Sequence, residues 1–194
     1  AHQVRQNDAV AVVFFGDGAL AEGVLHESLN LAALWKLPVL FVCENNGWSE
    51  FSPASKQFIA NVRDLATAFS IPSKKVDGNA VLEVHDAAVG LVNAARNGEG
   101  PQLLECITHR WRGHFEGDPQ KYRSEDEMSG LADHDPIAAF EALLEKKKVS
   151  KADMQEVRDR IEEQITRAVE AGRAGSAPDF ERAKTDVYTV REAV

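Results

Sequence analysis

The chain has 194 residues, of which 44% are hydrophobic and 27% charged, enough for one domain with its own core and ordinary for a globular protein. Thirty-one acidic residues against 22 basic ones give a net charge of −9, which argues against nucleic acid or an anionic membrane as the main partner. No apolar run approaches the roughly 20 residues that a membrane span requires.

After a polar opening, Val10-Ala11-Val12-Val13-Phe14-Phe15 is a continuous apolar run. Such a run predicts a strand buried on both faces of a parallel sheet. Gly16-Asp17-Gly18 breaks it, and a helical pattern with Leu25, Leu29 and Ala32 on one face continues to about Lys36. Pro38 stops that helix, and a second buried strand, Val39 to Cys43, runs into Glu44-Asn45-Asn46-Gly47. Residues 48–60 read as loop. Leu65, Ala66 and Phe69 mark a short helix, and Val76 a short strand before the Asp77-Gly78 turn. Val81, Val84, Ala88, Leu91 and Ala95 mark a further helix, ended by Gly98 and Gly100. Pro101 opens a last strand, Leu103 to Ile107, followed by the charged and aromatic loop HRWRGHFEGDPQKYR at 109–123.

The tail changes character. Asp135-Pro136 is a helix start, and Ile137, Phe140 and Leu144 give that helix an apolar stripe. Ser150 with Asp153 resembles a capping box ahead of a second amphipathic helix carrying Met154, Val157, Ile161 and Ile165. Strands alternating with helices predict an open, mainly parallel α/β sheet with helices on both faces, here over 1–128, and a helical C-terminal extension over 129–194.

Two cysteines, Cys43 and Cys106, both lie in apolar strand-like runs. They read as buried thiols of a reducing compartment and make no disulfide framework.

The chemistry concentrates at two strand ends. Asp17 and Asn46 each sit just past the carboxyl end of a predicted strand, where open parallel sheets bind ligands. A carboxylate and an amide oxygen are hard donors that suit Mg²⁺, which commonly shares a site with phosphates. Gly16 and Gly18 let the backbone approach an anion, and a following helix offers its first amides to phosphate. A GDG triplet by itself is more often a plain turn, and Asn45-Asn46-Gly47 by itself a strand-ending turn. His26 and His85 fall inside amphipathic helices and read as packing or surface residues. Trp35 and Trp111 read as packing residues, and Glu22, Glu27 and Lys146–148 as solvated helix positions.

The paired pattern is more specific. GDG at 16–18 with NN at 45–46, a helix and a buried strand between them, resembles the thiamine-diphosphate fingerprint. GDGALAEGVLHESLNLAALWKLPVLFVCENNGW, then VDG at 76–78, the 109–123 loop and DPI at 135–137, is similar in order to alpha subunits of 2-oxo acid dehydrogenases of the pyruvate and acetoin type. The resemblance covers essentially the whole chain. It implies the thiamine-diphosphate-binding fold, with thiamine diphosphate and Mg²⁺ as cofactors. Asp17 and Asn46 match the side-chain Mg²⁺ ligands, and the Trp48 carbonyl matches the third protein ligand. Gly18 and Ala19 match positions at the diphosphate. His114 matches the active-site histidine, beside the diphosphate and the reacting centre, with Arg110 helping to order the loop; His109 is the weaker candidate.

The resemblance further implies an upstream half of the subunit carrying more of the cofactor grip. It implies a beta subunit in an alpha2-beta2 heterotetramer, which supplies the glutamate that activates the cofactor, and a lipoyl-bearing acyltransferase as acceptor. Neither nucleic acid nor membrane is expected as a partner. The implied reaction is decarboxylation of a 2-oxo acid such as pyruvate, with acetoin cleavage as the alternative substrate and a catalytically silent fragment as the alternative role. The implied compartment is a bacterial-type cytoplasm, with the mitochondrial matrix as the other setting. Mammalian pyruvate dehydrogenases carry a phosphorylatable serine after the active-site histidine, and here Phe115 stands there.

Overall fold

The structure, a computed structural model, describes residues 7–185. Its main sheet has four strands in the order β1-β2-β6-β5: β1 is Ala11–Gly16, β2 Val39–Asn45, β5 Ser73–Asp77 and β6 Gln102–Ile107. All three pairings are parallel, with Phe15 opposite Cys43, Cys43 opposite Glu105, and Lys75 opposite Glu105. Parallel neighbours need crossovers, and these are helical: α1 (Gly23–Leu34), α2 (Val62–Ala68) and α3 (Val81–Arg96). The remaining strands, β3 (Trp48–Ser49) and β4 (Ser52–Pro53), form a small antiparallel hairpin inside the stretch expected to be loop.

The period of two along each strand separates two cores. On one face Phe41, Cys43 and Leu103 pack with Leu25, Leu29 and Ala32 of α1 and with Val62, Leu65 and Ala66 of α2. On the other face Leu40, Val42, Leu104 and Cys106 pack with Ala87, Val84, Ala88 and Leu91 of α3. The expected α/β architecture with helices on both faces is therefore what the chain forms.

The expectation of two-sided burial for the first apolar run fails. The run from Val10 to Phe15 is not buried on both faces: Val12, Val13 and Phe14 are 45%, 42% and 67% exposed. The reason is position. β1 lies at the sheet edge and pairs only with β2 among the described residues, so its apolar side chains have cover on one side alone.

Helix starts follow their caps. Asn61 accepts from the Asp64 N–H and the Asp64 side chain answers, closing a capping box on α2. Asp135 accepts from the Ile137 N–H at 2.8 Å at the start of α5 (Pro136–Lys146), and Ser150 accepts from the Asp153 N–H at 3.1 Å at the start of α6 (Lys151–Ala174). Two shorter helices are α4 (Glu125–Ser129) and α7 (Phe180–Thr185), and the described elements beyond β6 are all helical.

The chain divides into two compact units with the boundary between Leu143 and Leu144. The second unit is dominated by α6, which leaves Val157, Ile161, Ile165 and Val169 exposed along one stripe. Among the described residues no helix is long and apolar enough to cross a membrane.

Candidate functional site

The site is built at the carboxyl ends of β1 and β2. Because these strands are parallel neighbours, Gly16 pairs with Glu44, and the residues that follow each strand emerge side by side. Asp17 opens a 3-10 turn, Asp17–Ala21, before α1 begins at Gly23, so the expected single helix after GDG is divided in two. The turn brings Gly18 against the hairpin: a Cβ at Gly18 would stand 2.6 Å from Ser49 Oγ. A side chain at Gly18 would displace Ser49, and Gly47, at φ +78°, has the backbone conformation that favours glycine.

Asp17 is 2% exposed. Its Oδ1 accepts from the Asn46 N–H at 3.4 Å, across a separation of 29 positions, while its Oδ2 is buried with no hydrogen-bond partner. Burial pushes the Asp17 carboxyl above its ordinary value, against the lowering pull of main-chain N–H groups from Asp17, Asn46 and Gly47 and of the Arg110 charge. A buried carboxylate with one unused oxygen is costly unless a cation or donor completes it. Asn46 Oδ1 accepts from the Trp48 N–H at 3.0 Å, which fixes the chain path from the Asn turn into β3. Asp17, Gly18, Asn46 and Trp48 are thus brought together, with Ala19 one residue further along the same turn.

The donor set fits a hard divalent cation. It offers the unpartnered Asp17 oxygen and, on the turn whose Asn46 N–H bonds Asp17, an amide oxygen, donors of the kind that Mg²⁺ takes. Among the described residues no three His, Cys, Asp or Glu side chains gather into a metal-binding group. A set with a single carboxylate is consistent with a cation that also takes oxygens from a bound phosphate. A cleft of about 430 Å³ opens beside it, lined by Asp17, Asn45, Gly47, Phe58 and Asn61 among others.

The 109–123 loop closes over the hairpin through a continuous network. Arg110 donates to the Glu50 carbonyl at 2.8 Å and to Tyr122 Oη at 2.9 Å. Tyr122 donates to Asp118 Oδ2 at 2.5 Å, and Asp118 also accepts from the N–H groups of His114 and Gln120. Desolvation opposes ionisation of Asp118, yet these three hydrogen bonds and the Arg110 charge bring its carboxyl below its ordinary value.

Arg123 closes the base. Its side chain is 1% exposed, donates to the Arg110 carbonyl at 2.7 Å and pairs with Glu127 at 2.8 Å. The same Glu127 Oε1 accepts from Trp48 Nε1 at 2.8 Å, so the loop base is tied to β3. Arg123 is therefore consumed by structure, whereas Arg112 and Lys121 are exposed.

His114 is exposed on this loop, its ring edge-on to Phe51 at 5.2 Å between centroids. Phe51 lies between β3 and β4, so His114 is joined to the hairpin and not directly to Asp17. Trp111 and Phe115, natural hydrophobic anchors by composition, are 44% and 55% exposed. The aromatic packing comes instead from Trp48, Phe51 and Tyr122. His109 is occupied elsewhere, stacked on His134 at 3.9 Å. His26 hydrogen-bonds the Leu20 carbonyl at 2.9 Å and meets Phe58 and Phe69 edge-on, a packing role.

Sequence reasoning passed over Glu105, Tyr122 and Glu127. Glu105 had a readable signal: a carboxylate inside the apolar run Leu103 to Ile107, on a strand flanked by two others. It is 5% exposed, and Asn45 Nδ2 donates to its Oε1 at 2.7 Å. Cys43 lies between the two buried carboxylates; burial first, then Asp17 and Glu105, push its thiol up and leave it inert.

Comparison with known proteins agrees with this geometry. The family described as dehydrogenase E1 component matches residues 1–181. The chain is 41% identical over 97% of its length to the alpha subunit of acetoin:2,6-dichlorophenolindophenol oxidoreductase from Bacillus subtilis (strain 168), covering 57% of that protein. It is 37% identical over 96% of its length to the pyruvate dehydrogenase E1 component subunit alpha from Rhizobium meliloti (strain 1021), covering 55% of it. It is 39% identical over 93% of its length to the chloroplastic subunit alpha-3 from Arabidopsis thaliana, covering 43% of it. The chain thus spans about half the length of the curated relatives it matches. With its strand-end carboxylate, Asn turn and closing loop, the chain belongs to the dehydrogenase E1 component family, its relatives being alpha subunits.

Proposed function

We propose that this chain is part of the alpha subunit of a thiamine-diphosphate-dependent dehydrogenase acting on a 2-oxo acid such as pyruvate, and that it holds the metal and diphosphate end of the cofactor. The observation that carries the reading is Asp17, 2% exposed, with a buried oxygen lacking any partner beside an amide-bearing turn. Asp17, Asn46 and the Trp48 carbonyl would hold Mg²⁺, and Gly18 and Ala19 would face the diphosphate. When bound, thiamine diphosphate supplies the nucleophilic carbon and the electron sink for the reaction.

The chain's own residues bind and orient. Asp17 contributes the one full negative charge of the set and balances the cation. The Asn45-Asn46-Gly47 turn fixes Asn46 through the Trp48 N–H, so little reorganisation is needed on binding. His114, carried by a loop tied to the same hairpin, would hold or pass a proton at the reacting centre.

A beta subunit, an alpha2-beta2 assembly and a lipoyl-bearing acceptor belong to this proposal, as does a cytoplasmic setting. Acetoin is the second substrate reading, favoured by the 41% identity to the Bacillus subtilis acetoin enzyme subunit. The test is an assay of the full-length alpha subunit reconstituted with its beta subunit against pyruvate, acetoin and branched 2-oxo acids, with and without thiamine diphosphate and Mg²⁺. Cofactor-dependent turnover of one of these supports the reading. No cofactor binding by calorimetry and no turnover of any of them would overturn it.

A further inference from the structure

The Asn46 ligand position depends on a turn, and a turn holds its place only where something outside it anchors it. Asn46 itself is held within the turn by its Oδ1 accepting from the Trp48 N–H, and to Asp17 by its own N–H at 3.4 Å, a long bond. The stronger tie is one residue earlier. Asn45 Nδ2 donates to Glu105 Oε1 at 2.7 Å, Asn45 Oδ1 accepts from the Gly47 N–H at 3.2 Å, and the Asn45 carbonyl accepts from the Thr108 N–H at 2.9 Å. One side chain thereby joins the turn to β6.

The arrangement follows from strand register. Side chains at 41, 43 and 45 share a face of β2, as do those at 103 and 105 of β6. Cys43 is opposite Glu105 and Asn45 opposite Ile107, so Asn45 and Glu105 meet diagonally on the face that carries α1 and α2. A carboxylate only accepts, so Glu105 receives the Nδ2 end of the Asn45 amide and leaves Oδ1 for the Gly47 N–H. Burying a carboxylate at 5% exposure is costly, and its hydrogen-bond partner is Asn45. Arg63, Lys74 and Lys75 line the same cleft as Glu105.

We propose that Glu105 is a positioning residue for the metal site: through the Asn45 amide it sets the Asn45-Asn46-Gly47 turn, and with it the Asn46 oxygen and the path into Trp48. The inference rests on the cofactor reading above. Groups that orient a metal ligand without touching the metal govern affinity strongly, typically about 10–100-fold when removed.

The experiment is a Mg²⁺ titration of the full-length enzyme, assembled with its beta subunit, at saturating thiamine diphosphate and followed by calorimetry. Glu105→Ala is expected to raise the Mg²⁺ half-saturation about 10–100-fold. Glu105→Gln, whose Oε1 still accepts, is expected to raise it about fivefold or less. Asn45→Ala should reproduce the Glu105→Ala loss, and the double variant should be no weaker than Asn45→Ala alone, because both act through one bond. Additive losses in the double variant overturn the inference, as does unchanged affinity in Glu105→Ala. Should Glu105→Ala fail to assemble, Asn45→Ala decides by the same measure: a rise of that size supports the inference, and an unchanged half-saturation overturns it. Absence of Mg²⁺-dependent binding in the unsubstituted enzyme is a distinct result, since it overturns the cofactor reading itself.

Discussion

Asp17→Ala separates a ligand-binding carboxylate from a structural one, because the two roles predict opposite changes. In the metal-free protein burial outweighs the pull of main-chain N–H groups and of Arg110 on the Asp17 carboxyl. Its Oδ1 bond to the Asn46 N–H is long at 3.4 Å, and its Oδ2 is buried without a partner. The long bond is worth about 0.5 kcal/mol at most, while an unsatisfied buried acceptor costs about 1–3 kcal/mol. Removing the carboxylate should therefore leave metal-free stability unchanged or raise it by about 1–2 kcal/mol.

The pH dependence has a defined sign. Burial raises the folded carboxyl above its ordinary 3.8, so between 3.8 and the raised value the folded state binds more protons than the unfolded one. Stability due to this group falls as pH rises through that window, and the advantage of Asp17→Ala is largest above it and vanishes below 3.8. With ligand the order reverses. Thiamine diphosphate and Mg²⁺ at a hundred times their dissociation constant should stabilise the unsubstituted protein by about 2.7 kcal/mol, and Asp17→Ala by almost nothing. Melting of both forms by calorimetry, with and without cofactor at pH 4 and pH 7, measures all of this. A variant that melts well below the parent without metal, or that keeps the full cofactor-induced shift, refutes the reasoning.

The 109–123 loop should resist trypsin only when thiamine diphosphate and Mg²⁺ are both present, with first cuts at the exposed Arg112 and Lys121 and not at the buried Arg123; equal cleavage rates with and without cofactor reject ligand-driven ordering. His114→Ala in the assembled enzyme should lower turnover about 100-fold or more while cofactor affinity, read by calorimetry, changes much less. A pyruvate dehydrogenase kinase should place no phosphate on serine or threonine within 109–123, since Phe115 holds the position after His114 and the segment contains neither residue; mass spectrometry of the treated protein decides. The isolated chain should self-associate and bind apolar dyes through β1, and Phe14→Lys, at a side chain 67% exposed, should reduce both; a sharply melting monomer with little dye binding contradicts this.

The sequence by itself determined the parts that depend on local pattern. Apolar runs at 10–15, 39–43 and 103–107 are too short and too continuous for surface helices, so they become strands, and their alternation with periodic segments dictates parallel pairing. Asp17 and Asn46 could be read as a pair because each follows its strand at once and the crossover between them is one helix. The caps at Asp135 and Ser150 were legible for the same reason: a cap bonds to the backbone two or three residues away.

Tertiary structure decided whatever depends on which strand lies beside which. The run from Val10 to Phe15 looks as buried as β6 on composition, yet β1 falls at the edge and stays exposed, because a strand's cover comes from its neighbours and not from its own residues. The same holds for the links Glu105–Asn45 and Trp48–Glu127, which join residues 60 and 79 positions apart. Arg123 reads as a loop cation able to meet a phosphate, but folding sets it against Glu127 and the Arg110 carbonyl, and its charge is used within the loop base. A side chain's chemistry is written in its residue type; the partner that satisfies it is chosen by packing, and packing is a property of the whole chain.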